Sequence, residues 1–128
     1  APIVEAIAAS TGRDVAAADV TLAQFLDVVG AQKSRDQDPH WRREADHVGL
    51  GIVPYDAVIR LEELDASWAR VGELTGITDL QEQFYCRNST GARTRIAEYY
   101  TPALLDQVAT IYARDYADLH YDRPTLPA

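Results

Sequence analysis

Between Tyr55 and Glu62 the chain alternates: Tyr55, Ala57, Ile59 and Leu61 are separated by Asp56, Val58, Arg60 and Glu62. Period two is the pattern of a strand with one apolar face, and this is the one convincing strand pattern in the sequence. A lone strand leaves main-chain donors and acceptors unpaired along both edges, which is costly where they are buried. Even a two-stranded pair is marginal in water. The segment therefore predicts sheet neighbours supplied by a longer parent protein, by a second copy, or by a strand with a weaker pattern.

The remaining periodic segments read as helices. Ile3 to Ser10 suits a short one, closed by Thr11-Gly12. Thr21 is a good N-cap, and Gln24 three residues later completes a capping box. Leu22, Phe25, Leu26 and Val29 then recur on one face up to Gly30, the expected end. Asp65 is the expected cap of a helix that turns Trp68, Val71 and Leu74 inward and closes at Thr75-Gly76. Thr101 and Pro102 open the last helix, the preferred cap and first residue. Its stripe is Leu104, Leu105, Val108, Ile111, Tyr112 and Leu119. The expected fold class is thus an α-rich α/β protein with about four helices and one strand, residues 1–128 forming a single domain or a fragment.

A chain of 128 residues has the length of one domain and can fold without disulfides or metals. It starts Ala1-Pro2-Ile3-Val4-Glu5, which has no initiator Met and does not read as a signal peptide. A processed or cut chain is expected. No apolar run approaches the roughly 20 residues of a membrane helix. Net charge is −8, which opposes binding to a phosphate backbone, so nucleic acid is not an expected partner. Lys33 is the only lysine among Ala, Asp and Arg in abundance. That composition suggests a GC-rich bacterial source. The lone Cys86 excludes an internal disulfide and fits a reducing, cytoplasmic setting.

Three segments could carry chemistry. In Asp38-Pro39-His40-Trp41-Arg42, Pro39 keeps Asp38 out of helical geometry, so His40 and Trp41 are presented on a loop. His40 suits a general base near neutral pH and Trp41 could stack on a sugar face. The same residues suit a structural loop in which His40 pairs with Asp38. If residues 40–47 were helical, His40, Glu44 and His47 would share a face at metal-ligand spacing. Pro39, Arg42 and Arg43 oppose that, and no metal is expected. The loop Arg87-Asn88-Ser89-Thr90-Gly91, followed by Arg93 and Arg95, offers hydroxyls and guanidinium forks to an anion, or is a solvated connection. Phosphate-binding Gly-rich signatures and a nucleophile elbow are absent.

In fixed order these segments resemble the family-2 carbohydrate sulfotransferases, the group of chondroitin- and dermatan-type enzymes and their bacterial relatives. Asp38 to Arg42 resembles the family's Asp/Glu-x-His-Trp-x-Pro motif. Tyr55-Asp56-Ala57-Val58-Ile59-Arg60-Leu61-Glu62, with Glu63-Leu64, resembles its Tyr-Asp-x-Ile-Gly-Lys/Arg-Phe-Glu-x-Leu strand and turn. Arg87-Asn88-Ser89 resembles an Asn-x-Ser element. Ile111 to Tyr116, with Leu119-His120-Tyr121, is similar to Leu-Tyr-x-x-Asp-Phe/Tyr-x-x-Phe-Gly-Tyr. Phe25-Leu26-Asp27-Val28-Val29 fits the Phe-x-x-Phe-Val helix before the His-Trp motif. The likeness spans roughly Thr21 to Pro124. Arg43-Glu44 stands where the family has Pro-Gln, Ile59 replaces a Gly, and His120 replaces the Gly before the last Tyr.

The resemblance implies the C-terminal portion of a P-loop-like sulfotransferase fold. The full protein would move a sulfuryl group from 3'-phosphoadenosine 5'-phosphosulfate (PAPS), its co-substrate, to a hydroxyl of a carbohydrate or small metabolite. It implies His40 as catalytic base, Trp41 and Arg42 at the acceptor, and Arg87, Ser89 and Arg93 at the donor. The family's Gly-Ser/Thr-rich loop for the 5'-phosphosulfate and its Arg-Asp-Pro…Ser segment for the 3'-phosphate do not appear in this sequence. The chain alone is therefore expected to bind donor poorly, to be inactive, and to show an apolar patch or associate with itself or a missing N-terminal half. Two other readings stay open: a docking module that pairs with a partner by strand addition, and a small metal-dependent hydrolase using His40, Glu44 and His47.

Overall fold

The computed structural model describes residues 2–77, 79–84 and 95–126. Those residues are helix-rich. The helices are α1 (Pro2–Thr11), α2 (Leu22–Ala31), α3 (Glu44–His47), α4 (Leu64–Thr75), α5 (Leu80–Gln83), α6 (Ile96–Tyr99), α7 (Pro102–Ile111) and α8 (Ala113–Asp118). Single 3-10 turns occupy Ala17–Asp19, Ser34–Asp36 and Leu61–Glu63.

The local signals that start α2 and α7 work as chemistry requires. The Thr21 hydroxyl accepts the Gln24 N–H at 3.2 Å while the Gln24 side chain accepts the Thr21 N–H at 2.9 Å, a complete capping box. The Thr101 hydroxyl accepts the Leu104 N–H, with Pro102 opening the helix. Gly30 does not end α2, which runs on to Ala31. A Cβ on Gly30 would lie 3.4 Å from the Ile111 side chain, so this glycine marks the close approach of α7. At α4, Asp65 lies inside the first turn and the N-cap is Glu63. The turn at Leu61–Glu63 runs straight into the helix and supplies the Leu61 carbonyl to the Leu64 N–H, so no side-chain cap is needed. Leu74 is exposed rather than inward. Gly76 closes α4 at φ 73°, the left-handed conformation that glycine adopts without strain.

The expected strand is not formed. Residues 55–62 are described, and the β-pairing seen among the described residues is an isolated bridge between Leu50 and Val53. The Tyr55 N–H turns back to the Val53 carbonyl and its hydroxyl donates to the Val48 carbonyl at 2.5 Å. Leu61–Glu63 then curls into the turn that leads into α4. Alternation fixes which side chains share a face. Strand geometry needs a cross-strand partner, and among the described residues none pairs with this segment. The argument for missing sheet neighbours from an unpaired strand falls with it.

The core is small. α1 packs on α2, α2 on α7, and α3 on α8. Their contact buries Ile7, Leu26, Val28, Val29, Leu105 and Ala109, with Ala45 of α3 added at one end. Meanwhile Ile52, Val58 and Leu61 stand 87%, 52% and 72% exposed. The chain's accessible surface is 9606 Å², whereas size scaling gives about 6,800 Å² for a compact monomer of this mass. Among the described residues, no helix is long and apolar enough to cross a membrane.

Candidate functional site

The connection from α2 to Leu50 carries the site, and its shape begins with a short-range bond. The Asp38 carboxylate accepts the His40 N–H at 2.9 Å, closing a turn over Pro39. The same oxygen, Oδ1, lies 2.6 Å from His40 Nδ1. The backbone hydrogen bond from His40, then the one to its ring, hold the Asp38 carboxyl below its ordinary pKa. The imidazole itself is 87% exposed. Nδ1 faces a carboxylate, so its proton belongs between them and Nε2 is left as the free lone pair.

Trp41 faces the other way. Its ring meets Phe25 of α2 edge-on, centroids 5.7 Å apart at 83°, and its carbonyl accepts the Tyr112 hydroxyl at 2.9 Å. The indole is half-buried against α2 rather than laid open as a platform. Arg42 bends back under the loop, donating to the carbonyls of Gln37 at 2.7 Å and Arg35 at 3.3 Å. Gln37, 4% exposed, donates to the Val29 carbonyl at 2.9 Å and ties the loop to the end of α2.

The second half of the loop is held by α8, which the sequence did not single out for this role. The Asp115 carboxylate accepts the N–H groups of Glu44 and Ala45 at 2.8 and 2.9 Å, capping α3 from the far end of the chain. Arg114 ion-pairs with Asp46, donates to the Leu50 carbonyl at 3.0 Å, and reaches Asp118 at 2.9 Å. Arg43 Nε lies 2.8 Å from Asp46 Oδ2, close enough for an ion pair but not aligned for a hydrogen bond. The Ser34 hydroxyl, then Arg43 and Arg114, draw the Asp46 carboxyl below its usual range against the opposing effect of burial.

The other segments that carried the resemblance also meet. Arg60 donates to the His120 carbonyl at 2.8 Å and sits over the Tyr121 ring, 5.3 Å from its centroid. The Tyr121 hydroxyl donates to Glu62 at 3.0 Å.

The proposed metal face is not built. α3 spans Glu44–His47 alone, and His40 lies outside it in the preceding turn. Among the described residues no group of three His, Cys, Asp or Glu side chains is placed to hold a metal. Arg87, Ser89 and Arg93, expected at the donor, lie outside the described residues, as does Cys86.

Sequence reasoning missed one further feature. An open cleft of about 520 Å³ is lined by Lys33, Ser34, Arg35, Arg42, Arg43 and Asp46. Four cations meet there in a chain of net charge −8. Compared with family models, with curated proteins and with solved structures, the chain matches none.

Proposed function

We propose that the chain is the acceptor-side portion of a PAPS-dependent sulfotransferase of P-loop-like fold, acting on a hydroxyl of a carbohydrate or small metabolite. The observation that carries this reading is the Asp38–His40 pair: an exposed imidazole whose Nδ1 is 2.6 Å from a carboxylate. A sugar hydroxyl is a poor nucleophile at neutral pH, so the reaction needs a base. In this reading His40 Nε2 takes the hydroxyl proton as the acceptor oxygen bonds to sulfur. The bond from sulfur to the bridging phosphate oxygen breaks, and its electron pair leaves with adenosine 3',5'-bisphosphate. Asp38 holds the ring's tautomer and stabilises the imidazolium that forms, the role of a triad carboxylate. Trp41 and Arg42 shape the acceptor side. Arg87, Ser89 and Arg93 are proposed to help enclose the donor.

Two further observations support the reading. The segments quoted for the resemblance, far apart in sequence, touch at Tyr112–Trp41 and at Arg60–Tyr121. The large accessible surface and thin core also suit a body that packs on a donor-binding portion. The test is transfer of labelled sulfuryl from PAPS by the full-length protein that carries these residues. The wild type should transfer, and His40→Ala should lose about 10²–10⁴-fold in rate while remaining folded. No transfer by the wild type, or full activity in His40→Ala, sinks the proposal.

A second reading, a docking module, is favoured by the exposed apolar side chains of Ile52, Val58 and Leu61. Concentration-dependent association measured by sedimentation, abolished by Leu61→Glu, is what that reading requires. A monomer at all concentrations, with no apolar dye binding, opposes it.

A further inference from the structure

We propose that the cleft between the end of α2 and α3 is a binding site for a tetrahedral oxyanion, a phosphate or sulfate held free or as a monoester. The inference stands on the cleft itself and goes beyond the sulfuryl-transfer reading.

The first ground is uncompensated charge. Most other described arginines have carboxylates at hand: Arg60 with Glu63, Arg70 with Glu73, Arg95 with Glu98. At the cleft the account differs. Lys33 and Arg42 have no ion pair among the described residues, and Arg35 reaches Asp36 only at 3.7 Å. Arg43 is matched by Asp46, which it shares with Arg114. Three cations with little or no carboxylate cover thus converge on one concavity, although the chain as a whole repels anions.

The second ground is preorganisation. Arg42 is fixed by two main-chain carbonyls rather than by a carboxylate, so its position is set while its charge stays available. Its buried Nε has no acceptor in the folded chain. With Nε enclosed and both Nη2 hydrogens given to carbonyls, Nη1 is the group left to donate a charge-assisted hydrogen bond to an oxyanion. Lys33 and Arg35 come from the segment before it and line the same cleft.

The third ground is size. About 520 Å³ of open space exceeds what a single tetrahedral ion fills, which leaves room for the organic group of a monoester.

The experiment is calorimetric titration of the chain at 0.15 M sodium chloride with inorganic phosphate, inorganic sulfate, glucose 6-phosphate and glucose 6-sulfate. Saturable binding of one or more is expected, with an ester at least as tight as its ion if the organic group is seated. Lys33→Gln/Arg35→Gln removes two exposed cations, and should weaken binding at least tenfold. Arg70→Gln/Arg123→Gln makes the same charge change elsewhere and should alter the Kd less than twofold. Absence of saturable binding, or equal weakening in both double variants, overturns the proposal.

Discussion

The carboxylate of Asp115 accepts the main-chain N–H of Glu44 at 2.8 Å, across 71 residues of sequence. Together with the bond to Ala45, it caps a helix of one turn that could not stand alone. Asp115→Ala should therefore destabilise the chain by about 1–2 kcal/mol, read from the urea midpoint. Asp115→Asn, which keeps one acceptor oxygen, should fall between. Equal stability of Asp115→Ala and wild type would mean that α3 needs no cap.

The hydroxyl of Tyr112 is the other staple of the site. It holds the Trp41 carbonyl, and burial raises its pKa above the usual tyrosine value. Tyr112→Phe keeps the ring and removes one hydrogen bond, so the expected loss is about 0.5–1.5 kcal/mol. The near-ultraviolet signal of Trp41 should broaden at the same time. A stability loss with an unchanged tryptophan signal would place the effect away from the loop.

Asp46 makes the pH dependence testable. Its carboxyl is held below its ordinary value in the folded chain, with the Ser34 hydroxyl first and Arg43 and Arg114 after it. A depressed folded-state pKa stabilises the fold above the unfolded value, about pH 4, and that contribution is lost as pH falls through the folded value. Asp46→Asn should be less stable than wild type at pH 7, and the gap should narrow as pH drops below about 4. A gap of constant size down to pH 3 contradicts the assignment.

Gly30 offers a gain. A methyl there meets Ile111 at 3.4 Å, an ordinary contact, while the helix gains backbone restriction. Gly30→Ala should stabilise by up to about 1 kcal/mol. Gly30→Pro should destabilise, because a proline inside α2 removes a main-chain donor and clashes with the preceding turn. Thermal melts of the two variants should move in opposite directions.

These bonds explain what the sequence could and could not reveal. The Thr21–Gln24 box and the Thr101-Pro102 start are local, so their chemistry is visible in four consecutive residues. Asp38 and His40 are two apart, and their pairing was visible for the same reason. Asp115 with Glu44, and Tyr112 with Trp41, join residues about 70 apart. Nothing in the local pattern singles out those carboxylates and hydroxyls from others nearby. The cleft was hidden likewise: Lys33, Arg35, Arg42 and Arg43 are all in one polar stretch, but only folding turns them onto one concavity with Asp46. At Tyr55–Glu62 the period-two pattern misled, since strand pairing is a property of two segments and no second one pairs with it among the described residues. The last helix stripe ran through Tyr112, where the backbone breaks into α7 and α8. Side-chain periodicity does not register such a break.

The most direct test is the single-turnover rate of sulfuryl transfer from PAPS by the full-length protein, followed for wild type, Asp38→Asn and His40→Ala across pH 5–9. With His40 as base and Asp38 fixing its ring, the wild type turns over with an ascending pH limb, as a required general base produces. His40→Ala is then slowed about 10²–10⁴-fold and loses that limb, and Asp38→Asn is intermediate. Wild-type protein that leaves PAPS untouched, or a His40→Ala profile that overlays the wild type, contradicts the account.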